Sequence, residues 1–195
     1  MPTGVALRDV REQLFDAAER VLLRDGPSAL TSRAVTDEAG VAKGVLHRHF
    51  TDFDAFLAEF VVDRVDRMDP QAAALRESAG TGTVGGNLTD ALTALFESVA
   101  VAIVPLVTFR TRLRVLLRRT WPAGVPVLTE AVGVIESYLA AERDLGRLVP
   151  GADVETLAPT LIGAAHLLFA DRSGPRPEHA AVQRMVSTVI AGSLR

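Results

Sequence analysis

Four side chains able to carry protons, bind anions or ligate metals crowd into seven positions of the stretch AGVAKGVLHRHF: Lys43, His47, Arg48 and His49. Three chemistries could use such a cluster: a metal site, proton transfer, or a grip on a polyanion. His47 and His49 lie two residues apart, which on a helix sets them about 200° apart around the axis, so one ion cannot take both from a regular helix. The only other imidazoles are His166 and His179, and no His-Glu-x-x-His pattern accompanies them. Catalysis needs a nucleophile or acid beside the imidazole. No Gly-x-Ser-x-Gly elbow and no phosphate-cradling glycine loop is present, and the chain has no cysteine. The expectation is therefore no metal, no cofactor and no enzyme.

The polyanion reading depends on the elements around the cluster. Apolar residues at Leu7, Val10, Leu14, Ala17, Ala18, Val21 and Leu22 have the three-four spacing of a helix, stopped near Gly26-Pro27. Thr31 offers an N-cap for a short helix SRAVTDEA that Gly40 ends. A second short helix, AKGVLHRH, runs to Phe50. Two short helices joined by a tight glycine turn, the second presenting Lys43, His47 and Arg48, form what a helix-turn-helix unit requires. Ala42 and Gly44 are small enough to let the backbone approach phosphates or base edges. On residue pattern alone, solvated charges on an ordinary short helix remain the alternative.

Beyond Phe50, Thr51-Asp52-Phe53-Asp54 has the form of a capping box opening a helix through Met68, with Pro70 bending or ending it. Gly80 to Gly86 holds four glycines in seven positions and reads as a flexible loop. Helical periodicity returns at Leu88 to Ile103, again after Pro105 to Leu117, then from about Val127 to Leu145, Asp153 to Asp171 and Val182 to Ile190, with the loop RSGPRPE before the last. No alternating strand pattern appears. The expected fold is all-α with about nine helices.

Residues Ala17 to Leu57 resemble the N-terminal DNA-binding domain of TetR-family transcriptional regulators. The match runs through Ala17-Ala18, Gly26, Thr31, Val35, Glu38-Ala39-Gly40-Val41, Gly44, Leu46, His49-Phe50 and Phe56-Leu57. The resemblance implies a helix-turn-helix DNA-binding domain (residues 1–52) and a helical effector-binding and dimerisation domain (53–195). It also implies a homodimer that binds double-stranded DNA and a small-molecule effector. On it, Ala42 to His49 form the recognition helix: Ala42, Lys43, Gly44, His47, Arg48 and His49 face DNA, while Thr31, Ser32 and Arg33 touch the backbone. Three positions depart from the pattern. His47 stands where the family most often has a phosphate-contacting tyrosine, Phe53 where it often has a lysine, and Ala42 where serine or threonine is common. An imidazole takes up its proton between about pH 5 and 8, so His47 is expected to strengthen DNA binding when protonated.

In the C-terminal part, Phe96, Phe109, Arg112, Trp121 and Tyr138 are the candidate effector contacts, set against the alternative that large residues at helical spacing are core. Arg110, Arg114 and Arg118, with Arg112 and Arg119, form a basic stripe free of acids. It reads either as an anionic-ligand site or, preferred, as a solvated stripe or salt bridges to another helix. The last two helices are apolar over much of their surface, which a dimeric four-helix interface would cover. His166 reads as an interface or core residue.

The 195 residues, 48% hydrophobic and 23% charged, describe a folded globular chain with a net charge of −3. From Arg8 to Phe60 seven basic residues face ten acidic ones, which counts against a strong non-specific grip on DNA. The start lacks the pattern of an export signal, and the longest apolar run, Val99 to Val107, is far short of the roughly 20 residues that span a bilayer. A cytoplasmic, non-membrane protein is expected. The function expected is a ligand-responsive transcriptional regulator, a repressor released from a palindromic operator by a small-molecule effector; the alternative is a helical small-molecule-binding protein with weakened or lost operator binding.

Overall fold

A computed structural model describes residues 4–170 and 174–195, with side chains from residue 10 onward. Among these residues there are eleven α-helices and one short 3₁₀ turn, and the only β-type pairing is an isolated bridge between Leu148 and Leu194. The expected end of a helix at Asp171 and the first residues of the RSGPRPE loop fall outside the described residues, as does the side chain of Leu7. The chain divides into two compact units: residues 1–64 with 102–126, and residues 65–101 with 127–195. The expected boundary after residue 52 lies within the first unit.

In the first unit α1 (Gly4–Asp25) ends where Gly26 takes a positive φ of 81°, a conformation that favours glycine. α2 (Ser32–Glu38) starts on Thr31, whose hydroxyl accepts from the Ala34 N–H, and closes at Gly40 with φ 67°. α3 (Gly44–His49) follows after a five-residue turn. α4 (Phe53–Asp66) does not use the expected Thr51 cap: the Asp52 carboxylate accepts from the Ala55 N–H at 2.9 Å, so Asp52 is the cap, one residue later. A carboxylate is as good a cap as a hydroxyl and adds a favourable charge at the helix start, which explains the shift. The core between these helices is Leu14, Phe15, Ala18, Leu22, Val35, Leu46, Phe50, Phe56, Leu57 and Phe60, all buried.

Two expectations about helix breaks are corrected. Pro105 lies inside α7 (Ala100–Phe109), and the break falls earlier, between α6 (Val84–Glu97) and α7, at Ser98. The Ser98 hydroxyl donates to the Leu95 carbonyl at 2.5 Å and accepts from the Ala100 N–H at 3.1 Å, ending one helix and capping the next. A second break at Arg110 separates α8 (Thr111–Leu117), and α5 (Asp69–Glu77) is a separate helix with Pro70 in its first turn, a position proline tolerates. These two extra helices raise the count from nine to eleven.

The second unit is built on α6, α9 (Pro126–Asp144), α10 (Val154–Phe169) and α11 (His179–Ile190), with α11 packed on both α6 and α10. Its core includes Leu88, Leu92, Phe96, Ile135, Tyr138, Leu139, Leu161, Val182 and Val186. The glycine stretch is not a free loop. Gly85 and Gly86 belong to the first turn of α6, capped by Thr83, whose hydroxyl accepts from the Gly86 N–H at 3.0 Å. The remaining turn is tied down by side chains: Asn87 donates to the Ser78 and Thr81 carbonyls, and Arg147 to those of Thr81 and Gly82. Beside it, Glu142 is fully buried, paired with Arg147 at 3.4 Å, and the Gly80 N–H reaches it at 3.4 Å. Burial and the neighbouring Glu142 carboxylate push the Tyr138 hydroxyl well above its ordinary range.

Candidate nucleic-acid interface

α3 has only six residues, too few to be helical by themselves in water, so packing must hold it. Leu46 is fully buried, Phe50 nearly so, and the Phe50 N–H donates to the Leu46 carbonyl at 3.0 Å. With Leu46 inward, the helical period turns Gly44, His47 and Arg48 outward, and those three are exposed, as are Ala42 and Lys43 just ahead of the helix. A Cβ placed on Gly44 would meet nothing within 4 Å, so the surface there is open. His49 is placed differently: three residues after Leu46, it is half-buried, its ring 6.4 Å from that of Phe50. The i, i+3 relation to Leu46 was the signal for this in the sequence. The two imidazoles of the cluster thus occupy different faces, and no group of His, Cys, Asp or Glu able to hold a metal occurs among the described residues.

The brace behind α3 comes from α1. Arg11 lies over the Phe50 ring at 4.5 Å, donates to the His49 carbonyl at 3.3 Å and pairs with Glu59 of α4. Gln13 donates to the Ala39 carbonyl at 2.8 Å in the turn, and Arg20 and Arg24 both pair with Glu38 at 2.8 Å. Those two guanidiniums hold the Glu38 carboxyl below the usual range. Phe15, Phe50 and Phe56 form a cluster of rings with centroids 5.0 to 5.8 Å apart. At the far end of α4, Arg64 is 4% exposed and meets Asp16, Glu19 and Asp63 at 2.6 to 2.9 Å. The start of α2 is occupied locally: Thr31 caps the helix and exposed Arg33 reaches Asp37 at 3.4 Å, while Ser32 is half-buried.

Residues 14–60 match the family model for bacterial regulatory proteins of the tetR family. The chain carries a TetR-family N-terminal domain. This extends the resemblance read from Ala17 to Leu57 by a few residues at each end. Solved structures share the TetR fold over nearly the whole chain. Reduced NemR from E. coli matches with a TM-score of 0.74 at 14% identity, covering 94% of this chain and 96% of that one. FadR from Bacillus subtilis, in complex with stearoyl-CoA, matches with 0.67 at 17%, covering 93% and 98%. SmeT, the repressor of the Stenotrophomonas maltophilia multidrug efflux pump SmeDEF, matches with 0.61 at 22%, covering 95% and 90%. No curated protein matches the chain.

Phe53, the departure from the TetR pattern at the start of α4, is a packing residue: its ring stacks on Phe56 at 5.6 Å and carries the Arg110 guanidinium at 5.3 Å. The five candidate effector contacts do not share one unit. Phe96 and Tyr138 are buried in the core of the second unit, Phe96 stacked on Phe169 at 5.6 Å and Tyr138 bonded to Asn87 at 3.0 Å. Phe109, Arg112 and Trp121 belong to the first: Phe109 is 84% exposed, Trp121 is half-buried, and Arg112 pairs with Asp52 at 2.5 Å. Arg110 and Arg112 therefore follow the salt-bridge reading of the arginine stripe. His166 is half-buried with its ring 6.1 Å from Phe96. No single described helix is long and apolar enough to cross a membrane.

Proposed function

We propose that the protein is a ligand-responsive transcriptional regulator that binds double-stranded DNA through α3 and represses until a small-molecule effector releases it. The observation that carries this reading is the division of α3 into a buried anchor, Leu46 with Phe50 behind it, and an outward set of Lys43, Gly44, His47 and Arg48 beside Ala42. A surface that is small, cationic and rigidly braced fits a major groove: Arg48 and Lys43 suit phosphates or guanine edges, and the small residues permit close approach. Thr31, Ser32 and Arg33 at the start of α2 are the matching backbone contacts. His49 acts from within, through its carbonyl held by Arg11, more than as a reader of bases.

In this reading two chains pair through α10 and α11, placing two copies of α3 in successive major grooves about 34 to 36 Å apart on a palindromic site. Leu167, 78% exposed on α10, is the kind of residue such pairing covers. The effector shifts the dimer to a state with the wrong spacing, a coupling typically of about 1 to 3 kcal/mol. Phe96 and Tyr138 are the effector contacts nearest the core of the second unit. Mobility-shift titration against the DNA flanking the protein's own gene tests the reading. A specific shift lost in Lys43→Ala and Arg48→Ala is expected, and no specific shift with the unaltered protein refutes it in favour of a small-molecule-binding protein without an operator.

A further inference from the structure

The residues of the helix-turn-helix and α4 have the wrong charge for a DNA reader. Residues 1–64 hold eight Lys or Arg against eleven Asp or Glu. Residues 102–126, which fold into the same compact unit, add five arginines and no carboxylate, bringing the unit to thirteen against eleven. The other unit has eight against thirteen. A segment some 50 residues downstream of the recognition helix thus reverses the sign of the unit that carries it.

The added charge is placed where the acid is. Asp52 and Asp54 stand at the start of α4, two and four residues after the end of α3's C-cap Phe50. Arg112 donates to Asp52 at 2.5 Å and lies 3.9 Å from Asp54, while Arg110 lies 3.7 Å from Asp54 and donates to the Leu30 carbonyl at 2.9 Å, just ahead of the α2 cap. Arg110 is seated on Phe53, the residue that replaces a cation in the resembled pattern. Arg112 is 69% exposed on its own side chain, so it covers the carboxylates without being buried. Arg118 and Arg119 are exposed beyond it.

We propose that the arginine segment 110–119 is the electrostatic half of the DNA-binding surface: Arg110 and Arg112 neutralise Asp52 and Asp54 beside the recognition helix, so that the phosphate backbone of duplex DNA can approach. The proposal rests on the regulator reading. It assigns the stripe to DNA and not to an anionic effector. Because it acts on phosphates, its effect is independent of base sequence and fades as salt screens it.

The test is fluorescence anisotropy of the full chain with two labelled duplexes, the DNA flanking its gene and an unrelated sequence, over a salt series. Arg112→Ala is expected to weaken binding of both duplexes by the same factor, about three- to tenfold at low salt, converging on the unaltered protein as salt rises. Adding Asp52→Asn to Arg112→Ala restores the affinity, since asparagine keeps the α4 cap while removing the uncovered charge. Arg112→Ala binding like the unaltered protein overturns the proposal. So does a loss that Asp52→Asn does not rescue and that comes with a lower melting temperature, which marks a merely structural corner. An unaltered protein with no affinity for either duplex refutes the regulator reading itself, a distinct outcome.

Discussion

Replacing Arg64 by methionine is expected to destabilise the protein by about 2 to 4 kcal/mol, because three carboxylates lose their common cation at once. Arg64 is 4% exposed at the end of α4 and meets Asp16 and Glu19 of α1 and Asp63 beside it, at 2.9, 2.6 and 2.6 Å. Breaking a fully buried ion pair by removing one partner costs about 3 to 5 kcal/mol. Here the carboxylates are 29 to 43% exposed, so water screens the charge left behind and lowers the cost to about 2 to 4 kcal/mol. Methionine keeps the contact with the Phe60 ring, over which the guanidinium sits at 5.2 Å, and so limits the loss of packing. For a chain of this length the cost corresponds to a fall in melting temperature of about 5 to 15 °C. Circular dichroism during urea and thermal unfolding measures it. A variant within about 0.5 kcal/mol of the unaltered protein, the range of an ordinary surface change, refutes the view that Arg64 ties α4 to α1. Since α4 bears on α3 through Phe56 and Phe50, operator affinity should fall with it.

One pH effect follows from a named side chain. Glu38 has its folded pKa lowered by Arg20 and Arg24, so its stabilising contribution is complete above the unfolded carboxylate range near 4.3 and is lost as pH falls through the folded value. The unfolding midpoint of Glu38→Gln should accordingly lie below that of the unaltered protein at pH 7 and approach it as pH falls through and below the carboxylate range; a constant gap would show that the ion pairs are not the cause. Operator affinity should also fall in His47→Ala, because the side chain at position 47 is exposed on the outward face of α3 beside Arg48. An affinity equal to that of the unaltered protein contradicts a role for His47 in the grip.

The helical class and the helix-turn-helix segment were legible in the sequence because both are local. Three-four spacing of apolar residues, the Thr31 cap and the glycine at position 40 depend on neighbours within one or two turns, and the structure places them as the spacing requires. The separation of His47 and His49 onto different faces follows from the same periodicity. What failed locally did so where two good signals competed: Asp52 took the cap from Thr51, and Ser98, with a hydroxyl placed to serve both helix ends, made the break that proline at 105 was expected to make. The apparent flexibility of GTGTVGG was undone by residues far along the chain, since Arg147 lies 65 residues beyond the carbonyl of Gly82 that it holds. Sequence alone thus determined that this is an all-helical protein with one short cationic helix turned outward. Only the tertiary structure decided which charges surround that helix. Electrostatic sign is a property of proximity in space, and arginines at 110 and 112 come to lie on carboxylates at 52 and 54 only once the chain has folded back on itself.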